Sequence, residues 1–254
     1  MADSELNNTR VITVADDPSI LGEADKIVYE VWPEFMLHDA TLDKHWSRLK
    51  TDFPRFQFAL WDDVTDQCLA FANSLALHWD QPLDQLPDRG IDWAIEKAMA
   101  DVDAGREPNI QCALQIMVPP RNQGKQLSGR LVRLMCDIGR RHGLTSLIAP
   151  VRPNLKHQYP LFPIENYVSW KTTDGLPFDP WLRVHARLGG EIVRVCPQSM
   201  DIRGSVSEWE EWAKMRFPAS GRHIVPGALV PVMFDVDSDE GVYIEPNVWT
   251  VHQL

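Results

Sequence analysis

The sequence predicts an α/β fold, and two patterns in the chain carry this prediction. Residues 110–151 read as a strand, a polar turn, a long helix and a second strand, which together make a βαβ unit. Residues 56–77 read as two apolar runs joined by the polar turn 62–66, which is typical of a β-hairpin. Helical patterns elsewhere in the chain predict helices that flank the sheet.

The composition of the chain limits the class of protein. With 254 residues and 44% hydrophobic content, the chain can bury a sizeable core, and we expect a single domain over residues 1–254. A formal net charge of −11 argues against a nucleic-acid partner, because contacts with phosphates need clustered lysine and arginine. No apolar run approaches 18 residues, and the first ten residues lack a signal-peptide pattern. We therefore expect no membrane partner and a cytoplasmic location.

Neither the cysteines nor the histidines form a pattern typical of a metal site. The four cysteines are widely spaced among apolar residues and include no Cys-x-x-Cys pair, which predicts buried, reduced thiols. His38, His45 and His78 lack the spacing of metal ligands. We therefore predict no metal ion.

The N-terminal part of the chain predicts a strand followed by two helices. Residues 10–15 alternate as in a strand, and Asp17 with Pro18 is a typical start for the helix that follows. Thr41 can cap a second helix, which ends at Pro54. The hairpin comes next.

The βαβ unit contains the most informative turn of the sequence. Backbone N–H groups in the first turn of a helix lack partners and carry partial positive charge, so the polar turn before Leu127 is suited to bind an anion such as a phosphate. The alternative is that residues 123–128 only reverse the chain, with Gln126 or Ser128 near the helix cap. The helix after the turn has one apolar stripe, formed by Leu127, Leu131, Leu134, Met135 and Ile138.

The C-terminal third of the chain predicts two more helices and a hairpin. Asp179 with Pro180 starts a helix that ends before a strand over 191–196. Ser205 with Glu208 forms a capping box at the start of the next helix. Runs 228–236 and 241–252 then predict a hairpin.

Residues 118–128, VPPRNQGKQLS, resemble the acyl-CoA-binding motif of the GNAT superfamily of N-acyltransferases, V-x-P-x-x-[Q/R]-x-x-G-x-[G/A]. Gln126 stands where the family prefers glycine, and Ser128 stands where it prefers glycine or alanine. If the backbone at Gln126 has a positive φ, the side chain costs roughly 1–2 kcal/mol. Val118, Pro120 and Gln123 match the family pattern, and Gly124 matches the glycine that usually follows the Q/R position.

This resemblance implies a mixed, mostly antiparallel sheet with a splayed parallel pair, flanked by helices. It also implies an acyl-CoA as co-substrate, either acetyl-CoA or another acyl-CoA. Backbone amides between Gln123 and Ser128 would hold its pyrophosphate, and Asn154 stands where the family often has an asparagine that contacts the cofactor. The cofactor-binding residues implied in this way are Val118, Gln123, Gly124, Lys125, Gln126, Leu127, Ser128 and Asn154.

Compared with the family, this chain has two insertions and a C-terminal extension. The family core would span about 10–236, with the first hairpin run completing the sheet and the second forming an added edge. The insertion 79–109, which contains a helix, would lie near the acceptor side, and residues 197–254 form the extension. The insertion 152–178 contains four prolines and several aromatic residues, which predicts either a packed lid over the active site or a structural Ω-loop. A lid would offer Tyr159, Tyr167 and Trp170 to the substrate.

The segment 179–190, DPWLRVHARLGG, resembles the family segment that carries a tyrosine general acid. His185 stands at the position of that tyrosine, and Gly190 stands in the place of the usual phenylalanine. His185 is therefore our candidate for the proton donor to the departing thiolate, and the alternative is an ordinary core histidine. Strand 110–118 contains no aspartate or glutamate where many family members place a glutamate, so Glu165 or His78 would act as the base or contact the substrate.

Three functions are compatible with these residues. The first is N-acyl transfer to the amine of a small molecule, by direct attack on the thioester in a ternary complex. The second is non-catalytic binding of an acyl-CoA or metabolite, and the third is another acyl-CoA reaction such as decarboxylation or hydrolysis. A homodimer is possible in each case.

Overall fold

A single mixed β-sheet forms the centre of the computed structural model, which describes residues 8–254. Expectations about residues 1–7 lie outside the described residues. The strands of the described chain are β1 (Thr9–Thr13), β2 (Gln57–Asp62), β3 (Gln67–Leu77), β4 (Ile110–Met117), β5 (Ser146–Val151), β6 (Glu191–Gly204), β7 (Gly221–His223), β8 (Val232–Asp235) and β9 (Glu240–Gln253). Its α-helices are α1 (Leu21–Val31), α2 (Ala40–His45), α3 (Leu49–Asp52), α4 (Gly90–Asp103), α5 (Leu127–Arg141), α6 (Ile164–Val168), α7 (Pro180–Arg187) and α8 (Val206–Ala213).

The sheet is antiparallel everywhere except at its middle. Strands β1 to β4 follow one another in antiparallel pairs, β4 and β5 are parallel, and β9 lies between β5 and β6. Helix α5 connects β4 to β5 and contacts both strands, while α1 contacts β3 and β4. The predicted fold class, a mostly antiparallel sheet with one parallel pair and flanking helices, is confirmed.

The parallel pair separates soon after it begins. Strand β4 pairs with β5 only at Gln111↔Leu147 and Cys112↔Ile148. On the other edge of β4, Ala113 and Gln115 pair with consecutive residues of β3, so Leu114 is an extra residue that forms a β-bulge. A bulge bends its strand. The second half of β4 therefore turns away from β5, and a gap opens between the carboxyl ends of the two strands.

The C-terminal hairpin does not join the sheet as the sequence predicted. We expected the run 228–236 to complete the sheet and the run 241–252 to be an added edge. Instead, β9 pairs with β5 along one edge and with β6 along the other, while β8 is a four-residue strand on the outer half of β9. This expectation was wrong because both runs have strand periodicity, and only packing decides which of them is buried. A family core that ends at 236 would leave out this central strand.

Several local predictions are confirmed, and one cap differs. Asp179 caps α7, and Ser205 forms a complete capping box with Glu208 at the start of α8. The second helix is capped by Asp39 rather than by Thr41, because the Asp39 carboxylate accepts the backbone N–H groups of Thr41 and Leu42. All four cysteines are buried and unpaired. None of the described helices is long and apolar enough to cross a bilayer.

Candidate active site

The loop before α5 has the backbone geometry of an anion site. Gly124 and Gln126 both have left-handed backbone conformations, with φ of +81° and +57°. No side chain caps the helix at Gln126, so the N–H groups of its first turn stay available. From the sequence, a positive φ at Gln126 is expected to cost roughly 1–2 kcal/mol. The structure shows a positive φ at this residue, so the cost applies.

Side chains around this loop anchor it while its tip stays exposed. Arg121 forms a bidentate ion pair with Glu30 of α1, at 2.8 and 2.9 Å. The buried Asn122 donates to the Leu69 carbonyl at 3.0 Å, and its Oδ1 accepts from Lys125 Nζ at 3.1 Å. Residues 123–126 are exposed to solvent. The loop therefore holds its amides in place before any ligand binds.

The remaining cofactor candidates lie on both sides of the same gap. Val118 follows β4 directly and is half-buried, and its carbonyl accepts from Gln123 Nε2 at 3.5 Å. Leu127 is buried and anchors the start of α5. Ser128, the second residue of the helix, is half-buried, and Asn154 is exposed three residues after β5. The predicted cofactor residues thus surround the gap between the carboxyl ends of β4 and β5.

The side chains along β4 next to the gap are amides rather than acids. Gln115 Oε1 accepts the Trp32 indole N–H at 2.8 Å, and its Nε2 donates to Asn73 Oδ1 at 2.8 Å. Asn73 in turn donates to Gln57 Oε1 at 2.8 Å. This chain of amides fixes the orientation of Gln115, which has no group that can take a proton at neutral pH.

His185 lies beside the point where β4 and β5 separate. It projects from α7 toward Thr250 of β9, and Thr250 pairs with Ala149, the first β5 residue beyond the parallel pair. Its Nδ1 lies 2.9 Å from His252 Nε2, and its Nε2 is buried with no partner among the described residues. Burial, together with the neighbouring His252, lowers the pKa of His185 to about 3. The ring is therefore neutral at physiological pH.

The aromatic residues of the insertion 152–178 pack against one another. The Tyr159 ring contacts those of Tyr167 and Trp170, with centroids 5.9 and 5.0 Å apart. Tyr167 is only 1% exposed, and its hydroxyl donates to Asp179 Oδ2 at 2.8 Å. Tyr159 and Trp170 keep partial exposure. The segment is ordered, and its most buried ring supports the cap of α7 rather than facing an open cleft.

Two candidate residues, Glu165 and His78, lie away from the gap between β4 and β5. Glu165 is exposed on α6. His78 follows β3 at the end where Leu77 pairs with Ile110, and its Nδ1 lies 2.9 Å from the Glu107 carbonyl. That is the opposite end of β4 from the anion-binding loop, roughly 25 Å away along a strand of this length. The structure does not bring His78 to the gap.

Sequence reasoning missed a buried ion pair beside β5 as well as the partner of His185. Arg152 Nε donates to the Glu245 carboxylate at 2.8 Å, and Tyr243 and Asn247 donate to the same carboxylate at 2.9 and 3.0 Å. The Arg152 guanidinium also donates to the Gly227 carbonyl at 2.6 Å. The sequence offered one signal for this network, a glutamate in the interior of the final strand.

Comparisons with known proteins identify the relatives of this chain. No protein-family model matches it. Its sequence is 32% identical over 251 residues to the arginine N-acetyltransferase avaD of Aspergillus versicolor, a match that covers 88% of this chain and 86% of that protein. The loading GNATL domain of CurA from Lyngbya majuscula is similar in structure, with a TM-score of 0.62 at 17% identity over 97% of this chain and 98% of that chain. The GphF GNAT-like decarboxylase in complex with isobutyryl-CoA has a TM-score of 0.56 at 16% identity, covering 96% and 98%.

These similarities agree with the geometry of the gap. The solved structures share the fold, and the fungal relative is similar over nearly the whole chain. An uncapped helix N-terminus beside two diverging parallel strands is the arrangement that the motif at 118–128 implies for an acyl-CoA. The chain therefore belongs to the GNAT superfamily and is an acyl-CoA-dependent N-acyltransferase.

Proposed function

We propose that this protein transfers an acetyl group from acetyl-CoA to the amine of a small cationic molecule of the arginine class. The observation that carries the proposal is the anchored, uncapped turn at Gly124–Gln126, placed where β4 and β5 diverge. The named activity of the fungal relative supports the acyl group and the class of acceptor. The acidic composition of the chain, with a formal net charge of −11, favours a cationic substrate.

The turn would hold the pyrophosphate of the co-substrate through backbone N–H groups. Helix geometry supplies these donors, so the clamp tolerates a glutamine at position 126. Lys125 and Asn154 lie at the rim of the gap, where they would contact the nucleotide or the pantetheine arm. The arm would then follow the gap toward the point where β4 and β5 pair.

The acyl group would end beside His185, where the acceptor attacks the thioester directly in a ternary complex. Backbone N–H groups along the unpaired half of β4 can polarise the thioester carbonyl, an interaction worth roughly 3–4 kcal/mol in well-studied acyl transfers. Tyr159 and Trp170 would border the acceptor, because both keep partial exposure on an ordered loop. Glu165 and His78 stay predictions, and neither is needed if the acceptor arrives as a free amine.

The clamp is tested with a charge placed at the start of α5. Ser128→Asp adds a carboxylate where the pyrophosphate would bind, yet an acidic residue in the first turn favours the helix itself. We expect Ser128→Asp to bind acetyl-CoA at least ~10-fold more weakly than the uncharged, isosteric Ser128→Asn, because like charges repel at close range. Titration calorimetry measures both. Equal affinities in the two variants would show that this loop does not bind the pyrophosphate.

The acceptor is tested by a panel of amines with acetyl-CoA. Arginine, agmatine, ornithine and an uncharged arylalkylamine are compared by thiol release and by mass spectrometry of the acylated product. We expect amine-dependent thiol release with a preference for the cationic acceptors. Thiol release without an amine indicates hydrolysis, and carbon dioxide from malonyl-CoA indicates decarboxylation. Acetyl-CoA binding without any turnover indicates a binding protein, and each of these three outcomes overturns the proposal.

Three further properties belong to the same proposal. The main hydrophobic core includes Phe35, Leu131 and Trp249 from distant parts of the chain, which supports a single domain. A cytoplasmic location stays a prediction, which fluorescence microscopy of a tagged protein can check. A homodimer and the absence of nucleic-acid and membrane partners stay predictions that gel filtration and pull-down experiments can check.

A further inference from the structure

A second histidine, which the sequence did not single out, contacts the candidate catalytic histidine. His252 comes from the final strand β9, and its Nε2 lies 2.9 Å from His185 Nδ1. The two rings lie with their centroids 5.1 Å apart. His185 Nε2 has no partner among the described residues. The two polar contacts of the ring, with His252 and Thr250, are both made by Nδ1.

Gly190 provides the space for this second ring. A Cβ atom at Gly190 would lie 2.6 Å from His252 Cε1 and 2.7 Å from its Nε2, which is closer than packed atoms approach. The Cβ would also lie 2.9 Å from the backbone carbonyl oxygen of His185, so both the His252 ring and the backbone of α7 require a glycine here. Gly190 is also where the sequence departs from the phenylalanine of the family segment, and a larger side chain at this position would overlap the second imidazole.

Hydrogen bonding around the pair places the ring protons. The backbone carbonyl of Leu188 raises the pKa of His252 against the larger lowering by burial, as a carbonyl does when it faces a ring N–H. Since Nε2 of His252 faces His185, we assign the donor to Nδ1. A neutral imidazole carries one N–H, so Nε2 of His252 accepts, and Nδ1 of His185 donates to it. The buried Nε2 of His185 then carries no proton and has a free lone pair.

We propose that His252 is a positioning residue for acyl transfer, which holds the ring proton of His185 on Nδ1 so that Nε2 accepts a proton from the attacking amine. This inference rests on the proposed function. It adds to the role that the sequence suggested for His185, because a bare Nε2 has to accept a proton before it can donate one to the thiolate. A buried polar atom without a partner costs roughly 1–3 kcal/mol, which fits a nitrogen reserved for a ligand.

Attack of the amine on the thioester moves two protons and three electron pairs. The lone pair of the free amine forms the C–N bond, and the carbonyl π pair moves to oxygen. The amine N–H proton passes to Nε2 of His185 while the Nδ1 proton of His185 passes to Nε2 of His252. When the carbonyl re-forms, the C–S bond breaks with its pair on sulfur and CoA leaves as the thiolate. The two ring protons then move back, and Nε2 of His185 gives the amine proton to the thiolate, which restores the starting tautomer of both imidazoles.

The charged groups near this pair of imidazoles lie on the side of His252. His252 borders a pocket of about 290 Å³ on α5, which is lined by Arg133, Asp137 and Arg140 among others. Glu191, on the neighbouring strand β6, is exposed. On the inner side, Trp181 and Thr250 are the contacts recorded for His185 besides His252, and neither titrates near neutral pH. The charged groups therefore surround His252 and leave His185 in an uncharged environment.

Nitrogen-15 NMR on histidine-labelled protein tests the proton placement directly. We expect His185 of the ligand-free wild type to carry its proton on Nδ1 between pH 6 and pH 8, with a bare Nε2. Loss of one histidine signal set in each of His185→Gln and His252→Gln assigns the resonances. A proton on Nε2 of His185, or a charged His185 ring at pH 7, overturns the proposal. This result does not depend on turnover, so failure of the proposed function is distinguished from failure of this inference.

Matched variants of His252 test the effect on catalysis. His252→Leu removes the acceptor, and we expect kcat to fall by about 10- to 100-fold while KM for acetyl-CoA changes less than about threefold. This loss is smaller than the roughly 10²–10⁴-fold that positioned proton transfer contributes, because His185 itself is still present. His252→Gln keeps an acceptor oxygen and should recover most of that loss. A structural role would instead give equal losses in the two variants, or a change confined to KM. Equal kcat in His252→Leu and the wild type also overturns the proposal.

Gly190→Ala provides a second variant that leaves both imidazoles in the sequence. Its Cβ should displace the His252 ring and press on the His185 carbonyl, so the NMR signature should match that of His252→Leu and kcat should fall at least as far. Gly22→Ala is the control, because a Cβ there meets nothing within 4 Å on the exposed side of α1. Wild-type kcat in Gly190→Ala, with the His185 proton still on Nδ1, would contradict the proposed contact.

Discussion

A buried pair of carboxyl groups predicts an unusual dependence of stability on pH. Asp39, which caps α2, and Asp92, in the first turn of α4, are 1% and 2% exposed. Each has one side-chain oxygen without a partner among the described residues. Burial, followed by the proximity of Asp39, raises the pKa of Asp92 to about 8, and burial raises the pKa of Asp39. At neutral pH the pair therefore keeps a proton, which can bridge the two unpartnered oxygens.

The direction of the effect follows from linkage. The folded pKa of Asp92 lies above its unfolded value, so the contribution of the neutral acid is complete below about pH 4 and is lost as the pH rises through 8. A difference of about four pH units between folded and unfolded pKa corresponds to roughly 5 kcal/mol. Between pH 5 and pH 9 about three of these units are lost, which is roughly 4 kcal/mol, so at about 2–4 °C per kcal/mol the Tm should fall by about 8–16 °C.

Asp92→Asn tests this reasoning, because the amide can donate permanently to Asp39 where the acid needs a proton. Thermal unfolding of the wild type and Asp92→Asn is followed from pH 5 to pH 9. We expect equal Tm values at pH 5 and a higher Tm for the variant at pH 9. Asp25→Asn, at an exposed position of α1, is the control and should follow the wild type. Parallel pH profiles for the wild type and Asp92→Asn would refute the shared proton.

Three further predictions concern the loop, the ion pair and the ligand. Gln126→Gly should raise the free energy of unfolding by about 0.5–1 kcal/mol in urea and alter acetyl-CoA affinity, whereas Lys214→Gly, at another left-handed position, should raise stability equally without changing affinity. Glu245→Gln should cost roughly 3–5 kcal/mol in the same assay, since Arg152 stays buried without its counter-charge, and a loss below about 1 kcal/mol would contradict this. Acetyl-CoA at 100 times the wild-type Kd should stabilise the wild type by ~2.7 kcal/mol. An equal gain in Ser128→Asp at the same acetyl-CoA concentration would contradict the clamp.

Much of the fold follows from signals that are local in the sequence. The capping box at Ser205, the cap at Asp179 and the apolar stripe of α5 depend on residues within a few positions of each other. The same holds for the anion-binding turn, because left-handed residues and free N–H groups arise within one stretch of chain. Local geometry of this kind is readable from spacing alone, which is why these predictions agree with the structure.

Other features depend on which distant segments pack together. The burial of β9 between β5 and β6 could not be read from its alternation, since 228–236 alternates in a similar way. Tyr167 was predicted to face a substrate, yet its hydroxyl bonds Asp179 inside an aromatic cluster. The sequence also offered no way to place His252 beside His185, because 66 residues of intervening chain separate them. These contacts form only when long loops close, and no local pattern encodes them.

The sequence by itself therefore determined the order of strands and helices, the βαβ unit and the loop that would hold a pyrophosphate, because backbone geometry and capping are properties of short segments. Only the tertiary structure decided which strand completes the sheet, how β4 and β5 diverge, and which groups surround His185. Burial and proximity set the charge and the proton position of a histidine, and both are properties of the packed chain. The cofactor-binding loop could be predicted from the sequence, whereas the protonation state of His185 depends on the packed structure.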